Sequence, residues 1–251
     1  MNVLITAGNT SIFLDLVRVI TNIFKGRTGA FIARLFYKRG AKVTILTSNV
    51  SLTNRILGIR TKWYREPGMS DWEARFSKAL HWVLNLGCSN KDITVISYTT
   101  FNDLFTNMRE LITNNHYDVV IHSAAVSDYD VAGIYQHENG EFIPVDTAKK
   151  MSSSYKELYL KMIPTEKIID YIRGWGFTGV LVKFKLQVGI TDLELLDIAN
   201  KSMHDSNADY IVANCLEWHW KYAYIISAKD DSITKVDRLD LPKELYDRIV
   251  V

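Results

Sequence analysis

The first 47 residues follow the order strand, loop, helix, strand, and this order constrains the fold more than any other feature of the chain. Residues Asn2–Ala7 are an apolar run that predicts a buried strand, and Lys42–Thr47 predicts a second one. Between them, a long polar loop at residues 8–29 leads into a predicted helix at residues 28–39, which ends at Gly40. This is a βαβ unit, in which the strands are parallel and the crossover is right-handed.

The alternation of strands and helices continues along the rest of the chain. Further strands are predicted at residues 92–97, 118–122, 179–186 and 209–213, and further helices at residues 102–115, 165–173 and 192–204. A capping-box pattern from Ser70 to Glu73 predicts another helix of about 16 residues. The chain is predicted to end in a hairpin, residues 222–227 and 232–236, and a helix, residues 242–249. The sequence therefore predicts an α/β fold with a Rossmann-like, doubly wound, mainly parallel sheet.

One segment departs from this alternation. Between residues 130 and 163, Gly133, Gly140 and Pro144 divide the chain into short pieces, and residues 157–161 have period-two polarity. These features predict a β-rich flap, which belongs to a single domain covering residues 1–251.

Composition and charge exclude several classes of protein. The 251 residues carry 30 Lys and Arg against 28 Asp and Glu, and the formal charge of +2 is too balanced for a protein that binds a nucleic-acid backbone. Cys88 and Cys215 are the only cysteines, so no disulfide framework or zinc site is expected. No basic leader precedes the first strand, and no apolar run reaches the roughly 18 residues of a membrane helix. We therefore expect a cytoplasmic protein with no membrane or nucleic-acid partner.

Residues 118–129 are the strongest indication of a ligand site. An apolar β-branched run opens into the small residues Ala124 and Ala125 and ends on the carboxylate of Asp128. Small residues let a ligand approach the backbone, and the ligands of open α/β sheets bind beyond the carboxyl ends of strands. Taken alone, the segment also fits a tight turn that ends on a solvated aspartate.

Several common catalytic patterns are missing or out of context. Gly174, Gly176 and Gly179 have the spacing of a dinucleotide-binding motif, but they follow a predicted helix and precede a predicted strand, the reverse of the required order. None of the 13 tyrosines has a lysine four positions on, which weakens the hypothesis of a short-chain reductase. The six histidines form no metal-binding pattern, and no Gly-x-Ser-x-Gly motif indicates a serine nucleophile.

A phosphate site is indicated where the first loop becomes a helix. Gly26 and Gly29 lie at this junction, so free backbone N–H groups and the helix dipole can hold a phosphate, and Lys25 adds positive charge. Arg18 and Asn22 of the same loop can face a carboxylate or a phosphate. Taken alone, the two glycines also fit a flexible loop before an N-cap. A site of this composition would stabilise charge during nucleotidyl or phosphoryl transfer.

Five blocks of sequence form a specific combination that spans most of the chain. They are Val3-Leu-Ile-Thr-Ala-Gly-Asn-Thr10, the series Asp15-Leu-Val-Arg18, Asn22 and Gly26-x-x-Gly29, residues 122–129, Phe184-Lys-Leu186, and Ile211-Val-Ala-Asn214. This combination resembles phosphopantothenate–cysteine ligase, also called phosphopantothenoylcysteine synthetase. It is most similar to the monofunctional form, because the chain has no room for the flavin-dependent decarboxylase domain of many bacterial versions. No flavin is therefore expected.

The resemblance implies a two-step ligation in coenzyme A biosynthesis. The carboxylate of 4′-phosphopantothenate attacks the α-phosphate of a nucleoside triphosphate, CTP or ATP with Mg²⁺, and gives an acyl-nucleotidylate and pyrophosphate. The amine of cysteine then displaces the nucleoside monophosphate. The resemblance also implies a homodimer in which the flap pairs across a two-fold axis.

Roles at matching positions follow from the same resemblance. Those implied for nucleotide binding are Gly8, Lys25, Gly26, Gly29, Phe184, Lys185 and Asn214. Those implied for binding phosphopantothenate or the acyl intermediate are Arg18, Asn22, Ala124, Ala125 and Asp128. Catalytic roles fall to Asn22, whose amide can donate to an acyl oxygen, and to a flap lysine, Lys150 or Lys149, whose ammonium can offset developing negative charge. The alternatives are a core aromatic for Phe184, a turn or capping residue for Asn214, and solvated side chains for the two lysines.

Two motifs depart from the family pattern. The family's Gly-Gly-Thr is Gly8-Asn9-Thr10 here, and its Asn-x-Ser-Ser-Gly is Asn22-Ile-Phe-Lys-Gly26. Phe24 therefore replaces a small hydroxyl donor near the expected phosphates, which predicts weaker triphosphate binding unless Lys25 compensates. Two other hypotheses stay open: a degenerate member that binds nucleotide or phosphopantothenate without ligating, and an NAD(P)-dependent reductase.

Overall fold

The computed structural model describes residues 1–59, 89–90 and 92–250 of the chain. Its strands are β1 (Asn2–Ala7), β2 (Ser11–Phe13), β3 (Val19–Thr21), β4 (Lys42–Thr47), β5 (Ser89–Asn90), β6 (Ile93–Ser97), β7 (Val119–His122), β8 (Tyr129–Glu138), β9 (Glu141–Pro144), β10 (Tyr159–Pro164), β11 (Val180–Gln187), β12 (Tyr210–Cys215), β13 (Tyr222–Ser227) and β14 (Ile233–Asp237). Its helices are α1 (Arg27–Lys38), α2 (Val50–Leu57), α3 (Phe101–Asn114), α4 (Ile168–Tyr171), α5 (Asp192–Asp205) and α6 (Leu241–Val250). The helix predicted from Ser70 onward and Cys88 lie outside the described residues.

The main sheet has the strand order β14-β13-β12-β11-β7-β1-β4-β6-β5. Neighbours from β12 to β6 in this order are parallel, and β13, β14 and β5 are antiparallel additions at the edges. The predicted α/β fold with a mainly parallel sheet is therefore confirmed. The order reverses at β1, because β4 lies on one side of it and β7 on the other. A switch point of this kind opens a crevice beyond the carboxyl ends of the strands, where ligands bind in such folds.

Helices cover both faces of the sheet because successive side chains of a strand point to opposite faces. Val3 and Ile5 of β1 belong to a buried core with α1, α2 and α6, whereas Leu4 belongs to a core with α3, α4 and α5. In α1, Ile32 and Phe36 are fully buried and lie four residues apart, on one side of the helix. Burying a side chain of this size contributes about 1.5–3 kcal/mol, so these apolar stripes hold each helix against the sheet.

A short hairpin lies within the predicted loop at residues 8–29. Strands β2 and β3 pair antiparallel, although each has only three residues and most of their side chains are exposed. Neither strand carries the apolar alternation by which a strand is recognised in a sequence. The turn is formed by the carboxylate of Asp15, which accepts hydrogen bonds from the backbone N–H groups of Val17 and Arg18, each at 2.8 Å. Treating this segment as loop alone was therefore wrong.

The segment predicted as a β-rich flap forms a separate three-stranded antiparallel sheet in the order β10-β8-β9. Side chains of β9 and β10 are exposed throughout. Ile134 of β8 packs in a small core with Val145 and Met151. The β-rich character expected at residues 130–163 is thus present, while its use in dimerisation stays a prediction.

The main difference among the helices is α4, which is much shorter than the helix predicted at residues 165–173. Its N-cap residue, Lys167, makes no side-chain capping hydrogen bond, and the chain continues in turns after Tyr171. Other elements differ from their predicted bounds by one or two residues, which is the ordinary uncertainty of an element's end. Among the described residues, no helix combines the length and the apolar character that crossing a bilayer requires.

The three glycines with dinucleotide-motif spacing lie between α4 and β11, in the order predicted from the sequence. An added Cβ on Gly179 would lie 2.3 Å from the carbonyl oxygen of Asp118. Gly179 therefore allows the close approach of the segments that lead into β11 and β7.

Candidate active site

Beyond their carboxyl ends, the two central strands β1 and β7 are joined by hydrogen bonds. Ala125 N donates to Gly8 O at 2.8 Å, and Thr10 N donates to Ala125 O at 3.3 Å. Ala124 N donates to Thr6 Oγ1 at 3.1 Å. Because Ala124 and Ala125 are small, the segment that follows β1 can pack directly against them. The structure thus brings Gly8, assigned to nucleotide binding, next to Ala124 and Ala125, assigned to substrate binding.

Gly8 and Gly26 adopt conformations that side chains rarely tolerate. Their φ angles are +96° and +80°. An added Cβ on Gly26 would lie 2.4 Å from Gly8 N, and one on Gly8 would lie 2.1 Å from Ser48 Oγ. The loop after β1, the start of α1 and the loop after β4 therefore meet with no room for a side chain at either position.

Helix α1 starts beside this crevice, and in the described part of the chain no side chain caps its first N–H groups. Its N-cap is Gly26, which makes no side-chain capping bond, and its first turn contains no acidic residue. Such N–H groups and the helix dipole attract an anion. Lys25 and Arg27 are exposed beside them and add positive charge. The geometry expected of a phosphate site is thus present, and the binding itself stays a prediction.

Gly29, also predicted to hold the triphosphate, is buried on the inner side of α1. An added Cβ would lie 2.6 Å from Ser123 Oγ, 2.8 Å from Ala7 Cβ and 3.0 Å from Thr6 O. Gly29 therefore lets α1 pack against the end of β1, and only its backbone N–H group is left for a ligand.

Asn22 lies over the segment after β7 and is held there by Asn9. The Asn22 Nδ2 group donates to Ala125 O at 3.0 Å, and the backbone carbonyl oxygen of Asn22 accepts from Asn9 Nδ2 at 2.5 Å. Asn9 Nδ2 also donates to Thr21 Oγ1 at 2.6 Å, and Asn9 Oδ1 accepts from Ser48 Oγ at 2.8 Å. Asn22 and Ala125 thus come together as predicted. The sequence marked Asn9 only as a departure from the family, and its contacts were not foreseen.

Arg18 pairs with a carboxylate of the chain itself, and its role in substrate binding stays a prediction. Arg18 Nη1 is 2.6 Å from Asp15 Oδ2, whose side chain is fully buried. The same Asp15 oxygen accepts from Met151 N at 3.0 Å, and Arg18 Nη1 donates to Met151 O at 3.3 Å. Burial alone would raise the pKa of Asp15, but hydrogen bonds from the N–H groups of Met151, Val17 and Arg18, with the Arg18 charge, lower it to about 2. This cluster anchors the hairpin to the flap.

The flap lysines come just before this anchor in the chain. Lys149 and Lys150 are exposed, and within the described residues neither makes a hydrogen bond or an ion pair. Asp128 is also exposed where the segment after β7 enters the flap, and its carbonyl oxygen accepts from Thr165 N at 2.9 Å. The side chains of all three are accessible, as a catalytic or substrate-binding role requires.

The residues assigned to nucleotide binding on β11 and β12 divide between the two faces of the sheet. Phe184 is partly buried against the core on the α1 face. Asn214, which is 8% exposed, lies on that face too, since it pairs with Leu186, two residues beyond Phe184. Lys185 lies on the opposite face because successive side chains of a strand alternate. Lys185 therefore does not share the face of Phe184 and Asn214, and its role in nucleotide binding stays a prediction.

Two buried basic residues that the sequence analysis did not single out lie on that opposite face. His122 and Lys183 occupy paired positions on β7 and β11, with His122 Nδ1 3.0 Å from Thr6 Oγ1. Lys183 Nζ donates to Ser202 O at 2.7 Å and to Ser206 Oγ at 2.9 Å. Burial, assisted by the Lys183 charge, lowers the pKa of His122 to about 4, and burial lowers the pKa of Lys183 to about 8. The sequence did hold a signal for this pair, since each of the two residues is a basic residue within an otherwise apolar strand.

Phe24, which replaces a small residue of the family pattern, contacts the loop after β12. Its ring packs edge-on against His219, with ring centroids 5.9 Å apart. His219 Nδ1 is in turn 2.6 Å from Leu216 O. Phe24 therefore links the segment before α1 to the connection between β12 and β13.

The fold and the site define a Rossmann-like α/β protein whose candidate ligand crevice lies where β1 and β7 end, beside the uncapped start of α1. Residues 1–62 and 84–238 match the family model described as the DNA/pantothenate metabolism flavoprotein C-terminal domain. The match covers well over half of the chain, and the chain belongs to this family. It gives no support to the reductase hypothesis.

The chain is similar to coenzyme A biosynthesis proteins in sequence and to several solved structures in fold. The coenzyme A biosynthesis bifunctional protein CoaBC of Thermococcus kodakarensis is 28% identical over an alignment of 251 positions, which covers 98% of this chain and 50% of that protein. The chain thus spans about half the length of the curated relatives it matches. The DNA/pantothenate metabolism flavoprotein structure from Streptococcus pneumoniae has a TM-score of 0.72 and 26% identity, covering 100% of this chain and 98% of that chain. A Cab2 variant in complex with phosphopantothenate-cysteine has a TM-score of 0.65 and 18% identity, covering 99% and 87%.

Proposed function

We propose that this protein ligates 4′-phosphopantothenate with cysteine in a nucleotide-dependent reaction of coenzyme A biosynthesis. The observation that carries the proposal is the family match over residues 1–62 and 84–238. The likeness to CoaBC, a coenzyme A biosynthesis protein, supports it. Cab2, which has the same fold, was solved with phosphopantothenate-cysteine, a molecule of the chemistry proposed here as the product.

A nucleoside triphosphate, CTP or ATP with Mg²⁺, is the proposed co-substrate. Its phosphates fit the first turn of α1, because the N–H groups there have no capping side chain and no acidic neighbour in the turn. Lys25 would add charge at the same place. Phe184 and Asn214 would hold the nucleoside, since both lie on the sheet face against which α1 packs.

In the first proposed step, the phosphopantothenate carboxylate attacks the α-phosphorus, and the bond to pyrophosphate breaks. In the second, the cysteine amine attacks the acyl carbon, the nucleoside monophosphate leaves, and the amine loses a proton. Asn22 would donate to the acyl oxygen, because its Nδ2 group carries two hydrogens and Ala125 O accepts only one of them. Lys150, or Lys149, would offset the charge that develops on the reacting oxygens, and Asp128 would accept hydrogen bonds from phosphopantothenate.

A homodimer joined through the flap is the proposed assembly. In the described chain, β9 and β10 of the flap sheet are exposed along their whole length. Their exposed side chains include Phe142, Ile143, Leu160 and Met162. Exposed apolar side chains that lie together on one sheet are typical of an interaction surface.

The test is an incubation of the protein with 4′-phosphopantothenate, cysteine, Mg²⁺ and either CTP or ATP, followed by mass spectrometry. We expect phosphopantothenoylcysteine, pyrophosphate and the corresponding nucleoside monophosphate. Binding of both substrates without any of these products would support the non-ligating alternative, which the replacement of a small residue by Phe24 favours. No binding and no product with either nucleotide would refute both.

A further inference from the structure

The end of β14 brings an arginine to the edge of the sheet where the candidate site lies. Tyr222 at the start of β13 pairs with Asp237 at the end of β14, and β13 is antiparallel to β12. The last residues of β14 therefore lie at the same edge as the carboxyl ends of the parallel strands. Arg238 follows directly, and its N–H group donates to Lys221 O at 2.9 Å.

The Arg238 guanidinium reaches the first turn of α1. Its Nη2 group donates to Thr28 Oγ1. Thr28 is the second residue of α1, whose N-cap Gly26 has no side chain to cap the helix. The Nη1 group of Arg238 is buried and, among the described residues, has no hydrogen-bond partner. Within the part of the chain that the structure describes, no carboxylate pairs with Arg238.

An arrangement of this kind is costly unless an anion completes it. A buried charged donor without a partner has lost its hydration and gained no hydrogen bond in return, which destabilises the ligand-free fold. Burial lowers the pKa of the Arg238 guanidinium below its ordinary value, yet arginine remains charged at neutral pH. Lys25 and Arg27 lie next to the same turn and increase its positive charge, which favours the binding of an anion there.

We propose that Arg238 binds a phosphate group of a substrate at the first turn of α1. The planar guanidinium presents parallel N–H groups that match the oxygens of a phosphate, and the free N–H groups of the helix face the same anion. The inference rests on the proposed function and adds a residue to it. Two substrates of that reaction carry phosphates, the nucleoside triphosphate and 4′-phosphopantothenate.

A purely structural role for Arg238 makes a different prediction. If its bond to Thr28 only holds the end of β14 against α1, removing the guanidinium would lower Tm and leave ligand affinity unchanged. If it binds phosphate, affinity falls while the ligand-free Tm changes little. Affinity and Tm therefore have to be measured on the same variants.

The experiment uses the full chain and the variants Arg238→Met and Arg238→Gln. The glutamine variant keeps a donor for Thr28 and removes the charge, so it remains informative if the methionine variant folds poorly. Lys229→Met is the matched control, because Lys229 is exposed in the turn at the opposite end of the β13–β14 hairpin. Calorimetric titrations are made separately with CTP and Mg²⁺, ATP and Mg²⁺, and 4′-phosphopantothenate.

For at least one of these ligands, we expect Kd to rise about 10- to 100-fold in both Arg238 variants, the scale of one charge-assisted hydrogen bond. Lys229→Met should bind like the wild type, and the ligand that loses affinity identifies which phosphate Arg238 binds. Unchanged Kd values for all ligands, in a wild type that makes the ligation product, would overturn the Arg238 assignment and leave the proposed function standing. A wild type that binds none of the ligands and makes no product would overturn both.

Discussion

At the scale of single residues, the crevice is shaped by glycines and asparagines more than by charges. Asn9, which stands where the family pattern has glycine, bonds to Thr21, Asn22 and Ser48. Its side chain therefore ties the hairpin to the loops after β1 and β4. Asn22 is held at two points: Asn9 binds its backbone carbonyl oxygen, and its side-chain amide donates to Ala125. The departure at residue 9 thus fixes the position of the proposed catalytic asparagine.

The flap lysine supplies a prediction at the same scale. Lys150→Ala should fold and bind both substrates but lose a factor of about 100 to 1000 in kcat, the scale for removing one electrostatic stabiliser of developing charge. Steady-state kinetics on Lys149→Ala, Lys150→Ala and the double variant measure this loss. Lys156→Ala, an exposed lysine of the same flap segment, is the control. Wild-type turnover in all of these variants would remove the flap lysines from the mechanism.

At the scale of elements, the contact between α1 and β1 depends on Gly29. Alanine there improves helix propensity by about 1 kcal/mol, but its Cβ would lie within 2.6–3.0 Å of Ser123, Ala7 and Thr6, and overpacking costs about 1–3 kcal/mol. We expect Gly29→Ala to lower the free energy of unfolding in urea. Gly174→Ala is the control, since its Cβ would meet only one atom, Tyr171 O, at 3.3 Å. Equal stability of the two variants would show that α1 can shift to admit the side chain.

Elements with a strong periodic pattern could be predicted from the sequence, and those held by distant contacts could not. The parallel strands and α1 carry long apolar runs or stripes, and their bounds were close. The hairpin β2–β3 lacks such a pattern. Its turn is held by Asp15, which is bound in turn by Met151, 136 residues further along the chain. Arg18, which the sequence analysis assigned to a substrate, pairs in the structure with Asp15, three residues earlier in the chain.

The anchor between hairpin and flap should make stability depend on pH. Because the folded pKa of Asp15 is about 2, below the ordinary value of 3.8, its stabilisation is complete above pH 3.8 and is lost as the pH falls toward 2. The difference in free energy of unfolding between the wild type and Asp15→Asn should therefore shrink across this range. Urea unfolding at a series of pH values measures it. The His122 contribution, lost between pH 6.5 and about 4, cancels in this comparison. A difference independent of pH would contradict the assignment.

At the scale of the whole molecule, the candidate site is assembled from segments that are distant in the sequence. The switch point between β1 and β7 joins the segments after both strands, and the end of β14 adds Arg238 at the same edge. The sequence could place a site at this edge, because the alternation of strands and helices and the small residues after β7 indicate it. It could not show which face Lys185 occupies or that Arg238 reaches α1, since both depend on strand register and on the path of the last hairpin.

The flap gives the last prediction, at the scale of the assembly. Leu160 and Met162 of β10 are 38% and 44% exposed in the described chain. An aspartate at either position stays in water in a monomer, whereas burying its charge unpaired in an interface costs roughly several kcal/mol. Leu160→Asp and Met162→Asp should therefore leave the monomer folded and shift a dimer toward monomer.

Sedimentation equilibrium measures this shift against Leu193→Asp, which places the same charge at a residue 76% exposed on α5, outside the flap. A wild type that is monomeric, or dimers equally strong in all variants, would refute the flap interface.

Ligation assays on the same samples then test whether turnover depends on the dimer. The anchor at Asp15 and Met151 holds the flap to the hairpin that leads into Asn22. Losing the dimer should therefore reduce turnover if the second flap helps to position Lys150. Full turnover in a monomeric variant would show that each chain carries a complete site.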